Sequence, residues 1–512
     1  MRASWRWWLA PASLALALAL YFTDPFIGDW DGLDYTVLSV RGEPSSMALG
    51  RTLFIFFNHA LWRIAHALFQ LPADKAYLLF KYLVVAQCPL AVVAVWTLAR
   101  DVTGSVRAAS IAALLVAVSP IFVIYSGQVM TDVPSLLLVT VALVIHLRGL
   151  RTKRVWLVLC GAALLGAGVN MRETVAFYAP WLVLAPFVCG WKLRAKEIGW
   201  TLLASLIFVL LASVPFAILY ASDVNSYRAA WQGWRESMNA EIARHPVMLV
   251  NLKPFLLYFF ALSPMTLIAL PIAAWREWRA RQLSVMLLLA LCGLFANLLL
   301  FFNYSTVVNW RYFLTGLPAL VPLVADYFLR EQTARLGNIR RAFWATAAGI
   351  IFTAIVCGIY LKPISSEHVR KRAETRNYRA RLALLPEDAV IMAGGQTIAV
   401  NYWRGIGAGR WLTIGTGSGW PGDNLMPEIE GHLSAGRRVF LDAEPRWWSP
   451  CGWQSAETIA LTALESRFRF RHLKDTIYEL RPMEDATAQD RADLKRLLPE
   501  NRPEDVRKCA RE

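Results

Sequence analysis

The chain has 512 residues, of which 56% are hydrophobic and only 18% are charged, yet its formal net charge is +16. Soluble chains average about 45–50% apolar and about 25% charged residues, so this composition excludes an ordinary soluble enzyme and a fibrous or disordered protein. The basic residues lie in short segments between apolar runs rather than in one patch, which argues against a nucleic-acid-binding protein.

Apolar runs of membrane-spanning length recur from the N-terminus to about Leu361 and then stop. Since a membrane helix needs about 20 mostly apolar residues, we predict a mainly α-helical polytopic membrane protein with about 11 transmembrane helices. The predicted spans are residues 7–23, 77–99, 108–124, 133–147, 155–170, 174–190, 199–219, 254–274, 283–302, 312–329 and 342–361.

The basic residues between these spans indicate the orientation. With a cytoplasmic N-terminus, the inside loops hold 18 Lys and Arg in 49 residues, and the outside loops hold 10 in 108. The inside loops are thus about fourfold richer in Lys and Arg per residue, and such an excess is typical of cytoplasmic loops. It places residues 362–512 outside, and we expect the inner (plasma) membrane of a bacterium. The alternative for the first span, a cleavable signal peptide, would leave the next loop on the same side.

The first outside loop, residues 24–75, is unusually acidic. It contains Asp24, Asp29, Asp31 and Asp34 directly after the first span. Carboxylates beside a membrane are costly and tend to be functional. They can accept a proton from an acceptor hydroxyl, or coordinate a divalent cation through oxygen. We interpret Asp24, which precedes a proline, as a solvated turn or helix cap and Asp31 as functional.

The rest of this loop predicts two helices. The pattern turns helical after Asp34, and residues 51–70 form an amphipathic helix that is too polar for a comfortable span. We expect that helix to lie in the membrane interface. His59 and His66 share one of its faces, but without a carboxylate at ligand spacing they do not favour a metal site.

Other charged residues fall at the outer ends of later spans. They are Asp132, Arg172, Glu173 and Arg311. Two arginines can bind a phosphate through paired hydrogen bonds. The alternatives are that Arg172 and Arg311 are interfacial anchors or belong to a buried ion pair, and that Asp132 caps the helix that follows it.

At these residues the sequence resembles the GT-C glycosyltransferases of the protein O-mannosyltransferase and lipid A aminoarabinose transferase type. The family's first outside loop carries an acidic motif, typically Asp-Glu, with a tyrosine four residues after the aspartate. Asp31 and Tyr35 match it, whereas Gly32 departs from it. Asp29 or Asp34 would then supply the second carboxylate, as an alternative acid or a metal ligand.

Three further stretches resemble the same family in the same order: residues 119–134, 166–174 and 309–318. The resemblance implies a GT-C catalytic domain over residues 1–361 and an inverting sugar transfer from a polyprenyl-phosphate donor. The resemblance also implies roles for seven residues. Asp31 and Asp132 are the catalytic candidates, Arg172, Arg311 and Tyr312 would bind the donor phosphate, and Tyr35 and Glu173 would contact substrate.

The tail, residues 362–512, predicts a small extracytoplasmic α/β domain. A basic helix over 362–381 precedes β-like runs at 389–392, 439–441 and 477–480. Gly417 to Gly422 fits G-x-G-x-x-G, but Pro421 indicates a turn instead of a helix, so we expect no nucleotide cofactor. Cys451 and Cys509 could pair in an oxidising compartment.

Two other functions stay open from the sequence. A lipid-linked sugar transporter or flippase would show internal repeats, which we do not find. A non-catalytic subunit that binds envelope glycans would tolerate loss of the acidic loop. The expected partners are a polyprenyl-phosphate-linked sugar, a lipid, glycan or protein acceptor, and membrane lipids. A divalent cation is the one cofactor left open.

Overall fold

The computed structural model describes most of the chain. The described residues are 5–24, 30–44, 51–192, 194–225, 228, 232, 266–280, 283–303, 310–336, 339–407, 410–414, 425–444, 464 and 467–482. Asp29, Cys451, Cys509 and the glycine-rich segment 417–422 lie outside them, as does part of the predicted span 254–274.

Helices dominate the first 382 residues. They are α1 (Trp5–Phe22), α2 (Trp30–Arg41), α3 (Thr52–Phe69), α4 (Ala76–Thr103), α5 (Val106–Ala117), α6 (Pro120–Ser126), α7 (Asp132–Thr152), α8 (Val155–Val169), α9 (Ala179–Val188), α10 (Ala195–Ser222), α11 (Thr266–Ala280), α12 (Val285–Asn303), α13 (Leu317–Leu336) and α14 (Ile339–Leu382). Short 3₁₀ helices cover Ala73–Lys75, Glu173–Tyr178 and Trp310–Gly316.

The chain divides into two compact units. The helical unit is Met1–Phe26, Met47–Phe57 and Leu78–Arg370, and the mixed unit is Ile27–Ser46, Asn58–Tyr77 and Lys371–Glu512. This division differs from the predicted boundary at residues 361 and 362. Most of the acidic first loop groups with the C-terminal residues, because its contacts are with them rather than with its neighbours in sequence.

Where the structure describes them, the predicted membrane spans lie in helices, but the number of spans is not confirmed. Among the described residues, five helices are long and apolar enough to cross a membrane, or six if the pair α5 and α6 counts as one. Those two helices, predicted as one span over 108–124, are bent by 60°. The bend lies at Ser119, which is extended (ψ 126°) because it precedes Pro120.

Helices α7 and α8 pack closely inside the helical unit. A Cβ added to Gly161 of α8 would lie 2.7 Å from the backbone nitrogen of His146 in α7 and 2.8 Å from its Cα. In membranes, where lipid tails are as apolar as leucine, such small residues let helices approach and pack. His146 is itself fully buried and accepts a hydrogen bond from Trp181 Nε1 at 3.2 Å.

Gly161→Ala is therefore expected to destabilise the protein, because the added methyl group meets backbone atoms that cannot rotate away. Overpacking of this kind costs about 1–3 kcal/mol. Thermal unfolding in detergent is the measurement. Gly199→Ala in α10 is the matched control, since its added Cβ meets nothing within 4 Å. An equal loss in both variants would contradict the close approach of α7 and α8.

The C-terminal part of the mixed unit is built on a four-stranded sheet. The strands are β1 (Val390–Met392), β2 (Val439–Asp442), β3 (Phe468–Lys474) and β4 (Ile477–Pro482), in the order β1-β2-β4-β3. β1 and β2 are parallel, and the other two pairs are antiparallel. Strands are thus found at the three predicted runs, and β3 was not predicted.

Strands β1 and β2 bury side chains on both faces of the sheet, and the end of α14 contacts residues that follow β2 and β3. Short helices α15 (Thr397–Val400) and α16 (Leu425–Ser434) complete the fold. Arg381 donates to Thr476 Oγ1 at 2.8 Å and lies 3.4 Å from the carboxylate of Glu444. Burial raises the pKa of the neighbouring Asp442, whose Oδ1 accepts a hydrogen bond from Thr476 at 2.7 Å.

Candidate active site

Asp132 and Arg172 form a buried ion pair in the helical unit. Arg172 Nη1 lies 2.7 Å from Asp132 Oδ1, and the two side chains are 3% and 0% exposed. The same nitrogen donates to Thr131 Oγ1 at 3.0 Å. Thr131, not Asp132, is the N-cap residue of α7, and it makes no side-chain capping bond. Arg172 is thus part of a buried ion pair, and its partner is Asp132.

The backbone around Arg172 places its side chain in the interior of the helical unit. Helix α8 ends at Val169, and Asn170 anchors the turn by donating to the Leu211 carbonyl at 2.7 Å. Arg172 is extended, and the next residue begins the 3₁₀ helix Glu173–Tyr178. Nε and Nη2 of Arg172 are buried with no hydrogen-bond partner in the described part of the chain. Buried polar groups nearly always have a hydrogen-bond partner, so these two N–H groups are an exception among the described residues.

Arg311 and Tyr312 reach the same place from the 3₁₀ helix Trp310–Gly316. The Tyr312 ring is nearly buried, and its centre lies 4.7 Å from the guanidinium carbon of Arg172 and 5.6 Å from that of Arg311. Arg311 Nη1 also lies 3.4 Å from the sulfur of Met130. One aromatic ring thus attracts two guanidinium groups.

Two hydrogen bonds hold the supporting segments together. Thr315 Oγ1 donates to Thr174 Oγ1 at 3.0 Å, and Tyr178 donates to the Thr315 carbonyl at 2.8 Å. Both join the 3₁₀ helix that follows Arg172 to the one that contains Arg311. These side-chain hydrogen bonds therefore tie together the two segments that carry the arginines, as a preorganised binding site requires.

This group of residues, Thr131, Asp132, Arg172, Arg311 and Tyr312, is called the arginine cluster below. Two guanidinium groups and one carboxylate leave it with a net charge of +1, so it is suited to an anion. Glu173 adjoins it in sequence but is only partly buried, and its buried Oε2 has no hydrogen-bond partner among the described residues.

Lys81 is a buried cation that the sequence interpretation overlooked. It is 2% exposed and donates to the backbone carbonyl of Asp24, whose own side chain is 5% exposed. Asp24 is therefore not the solvated residue that we predicted. The available signal was simple: Lys81 is the one charged residue in the predicted span 77–99. Ionisable residues within membrane helices are functional candidates.

Asp31 and Asp34 of the first loop belong to the mixed unit, whereas Asp24 belongs to the helical unit. Helix α2 begins at Trp30, so Asp31 and Asp34 lie within a helix rather than in an open loop. Asp31 is partly exposed in the first turn, where a negative charge is favourable. Asp34 and Tyr35 are 7% and 3% exposed. Asp31 is therefore the more accessible carboxylate of the two.

The histidines of α3 are engaged with the protein. His59 Nδ1 lies 2.7 Å from the Ser39 carbonyl, and His66 stacks on Trp62 with ring centres 5.2 Å apart. Within the described ranges, three or more His, Cys, Asp or Glu side chains do not gather at a distance suited to a metal ion.

Parts of this chain are similar to known proteins in sequence or in fold. Residues 57–218, which include Asp132 and Arg172, match the model of the dolichyl-phosphate-mannose-protein mannosyltransferase family. No curated protein matches the chain in sequence. ArnT from Cupriavidus metallidurans, crystallised with undecaprenyl phosphate, is 13% identical with a TM-score of 0.59, and the match covers 93% of this chain and 97% of ArnT.

A second solved structure has a similar fold. The apo oligosaccharyltransferase of Archaeoglobus fulgidus is 13% identical with a TM-score of 0.52, over 94% of this chain and 74% of that protein. The resemblance seen in the sequence is thus confirmed. The chain is similar to the dolichyl-phosphate-mannose-protein mannosyltransferases over residues 57–218 and to ArnT in its fold, and five of its described helices are long and apolar enough to cross a membrane.

Proposed function

We propose that this protein is a glycosyltransferase that moves a sugar from a polyprenyl-phosphate donor to an acceptor at the extracytoplasmic face of the membrane. The observation that carries the proposal is the arginine cluster, in which two guanidinium groups share one aromatic ring beside a buried carboxylate. The name of the matching family and the lipid bound in the ArnT structure agree with a lipid-phosphate donor.

The donor phosphate would bind to the arginine cluster. Arg172 directs Nη1 toward Asp132 and Thr131 and has buried N–H groups on Nε and Nη2 left over. A phosphate accepts such parallel donors well, and these charge-assisted bonds strengthen in a site that excludes water. Arg311 adds a second positive charge, and the Tyr312 ring contacts the guanidinium groups of both arginines. Asp132 then acts by orienting Arg172.

Asp31 would act on the acceptor as the general base, on the strength of its place in the acidic loop. It takes the proton from the acceptor hydroxyl, whose oxygen attacks the anomeric carbon of the sugar. The bond from that carbon to the phosphate oxygen breaks, and its electron pair stays on the polyprenyl phosphate, where the arginines stabilise the charge. A single displacement of this kind inverts the anomeric centre.

The remaining site assignments are part of the same proposal. Tyr35 and Glu173 contact the substrate, and Asp29 or Asp34 supplies a second carboxylate beside Asp31. A divalent cation on these aspartates is the alternative role for the acidic loop, since carboxylate oxygens are its preferred ligands. The transferred group is a hexosyl or pentosyl residue.

The test is a direct transfer assay with the full-length protein in lipid nanodiscs. A panel of undecaprenyl phosphates carrying different radiolabelled hexoses or pentoses is supplied with an envelope extract as acceptor, and the release of undecaprenyl phosphate is measured. We expect undecaprenyl phosphate to be released from at least one of these donors. We expect no transfer when nucleotide sugars are supplied instead. Movement of an intact donor across proteoliposome membranes without release would instead indicate a transporter.

A further inference from the structure

Arg41 joins the end of helix α2 to a distant part of the mixed unit. Its Nη2 donates to the Gly405 carbonyl at 3.2 Å and to the Arg410 carbonyl at 2.6 Å. Its guanidinium carbon lies 3.9 Å from the centre of the Trp411 ring. Burial lowers the pKa of this guanidinium from its ordinary value. Arg41 thus satisfies backbone carbonyls and packs on an aromatic ring at once.

The same C-terminal segment contacts the first loop at a second place. Tyr402 donates to the Asp74 carbonyl at 2.8 Å, and its ring centre lies 5.9 Å from that of Tyr77. Helix α2 also packs along α15 and the π-helical turn Asn401–Gly405. We call residues 397–407 with Arg410 and Trp411 the clamp segment. It contacts the first loop at two separate places, at Arg41 and at Asp74.

The clamp segment is in turn anchored to the sheet. Asn401 is fully buried, donates to Thr413 Oγ1 at 2.8 Å and accepts from the Leu412 amide at 3.3 Å. The Ile391 amide of β1 donates to the Leu412 carbonyl at 3.0 Å. A chain of hydrogen bonds therefore runs from strand β1 through Asn401 to the segment that receives Arg41.

We propose that the C-terminal domain is a positioning element of the active site, in which the clamp segment fixes helix α2 through Arg41 and thereby sets the position of Asp31. The proposal rests on the role of Asp31 in the proposed function. An isolated helix of 12 residues is marginal in water, so α2 needs an external support. Arginine suits the task because its planar fork both donates and stacks, which lysine does not do.

The experiment compares Arg41→Ala, Arg41→Lys and Trp411→Leu in the full-length protein in nanodiscs. We expect kcat to fall at least about tenfold in Arg41→Ala with KM for the donor unchanged, since small misplacements cost up to about 100-fold. Hydrogen exchange of the α2 amides should become at least about tenfold faster, while that of the α7 amides stays the same. Arg41→Lys should lie between Arg41→Ala and the unaltered protein.

Arg376→Ala is the matched control, because Arg376 is an exposed arginine of α14 within the same unit. It should change neither kcat nor exchange. The double variant Arg41→Ala with Trp411→Leu should lose little more than Arg41→Ala alone, since both remove one interaction. If Arg41→Ala fails to fold, Trp411→Leu carries the same comparison.

Unchanged exchange of α2 in these variants would overturn the clamp. Faster exchange with an unchanged kcat would also overturn the proposal, because α2 would then be held without effect on catalysis. The exchange measurement needs no substrate. A protein that transfers no sugar at all would therefore refute the proposed function, while the change in α2 exchange would still decide whether the clamp exists.

Discussion

Replacing Arg172 with alanine is expected to abolish sugar transfer and to destabilise the helical unit. The change leaves Asp132 fully buried without its counter-ion, and breaking a buried pair in this way costs about 3–5 kcal/mol. It also removes the N–H groups assigned to the donor phosphate. Thermal unfolding and transfer of the radiolabelled sugar measure the two effects separately.

A double variant separates stability from phosphate binding. In Arg172→Ala with Asp132→Ala the unpaired buried charge is gone, so much of the lost stability should return, while the transfer activity should not. Arg172→Lys keeps a charge but loses the bidentate geometry, and we expect it to fold and to transfer sugar poorly. A double variant that transfers sugar at the normal rate would show that the pair is purely structural.

The second large effect is expected for Asp31→Asn. The amide keeps the size of the carboxylate but cannot accept the acceptor's proton, so kcat should fall by about 10²–10⁴-fold. Binding of undecaprenyl phosphate should not change, because the phosphate contacts are assigned to the arginine cluster. The measurements are initial transfer rates and equilibrium binding of the radiolabelled lipid.

Asp34→Asn is the comparison variant on the same helix, because Asp34 is the alternative carboxylate of the proposed site. Asp34 is buried whereas Asp31 is partly exposed, so Asp34→Asn should change the melting temperature more than kcat. Full activity in a folded Asp31→Asn protein would remove Asp31 as the base. A larger loss of kcat in Asp34→Asn than in Asp31→Asn would transfer that role to Asp34.

Apolar patterning predicted the helices well because each membrane helix is encoded within its own residues. The same patterning could not predict that Asp132 pairs with Arg172, since the two are separated by a whole helix and nothing local selects the partner. Tyr312 was expected to contact the phosphate alongside the arginines. Its position between Arg172 and Arg311 depends on how three segments pack, which no local pattern encodes.

The mixed unit shows where local signals end. Strand β3 has arginines and a lysine among its apolar residues, as edge strands often do, and this weakened its apolar signal. The grouping of the first loop with the C-terminal residues depends on Arg41, whose acceptors lie more than 360 residues away. No local sequence pattern predicts contacts between residues that are so far apart in the chain.

The buried pair of Asp132 and Arg172 also has an evolutionary consequence. Loss of either side chain alone strands a charge inside the protein, so each single step between a paired and an apolar arrangement passes through an unstable intermediate. Replacement of the pair is therefore rare, whether or not the substrate of the protein changes. The pair can therefore persist in a lineage after the sugar or the acceptor has diverged.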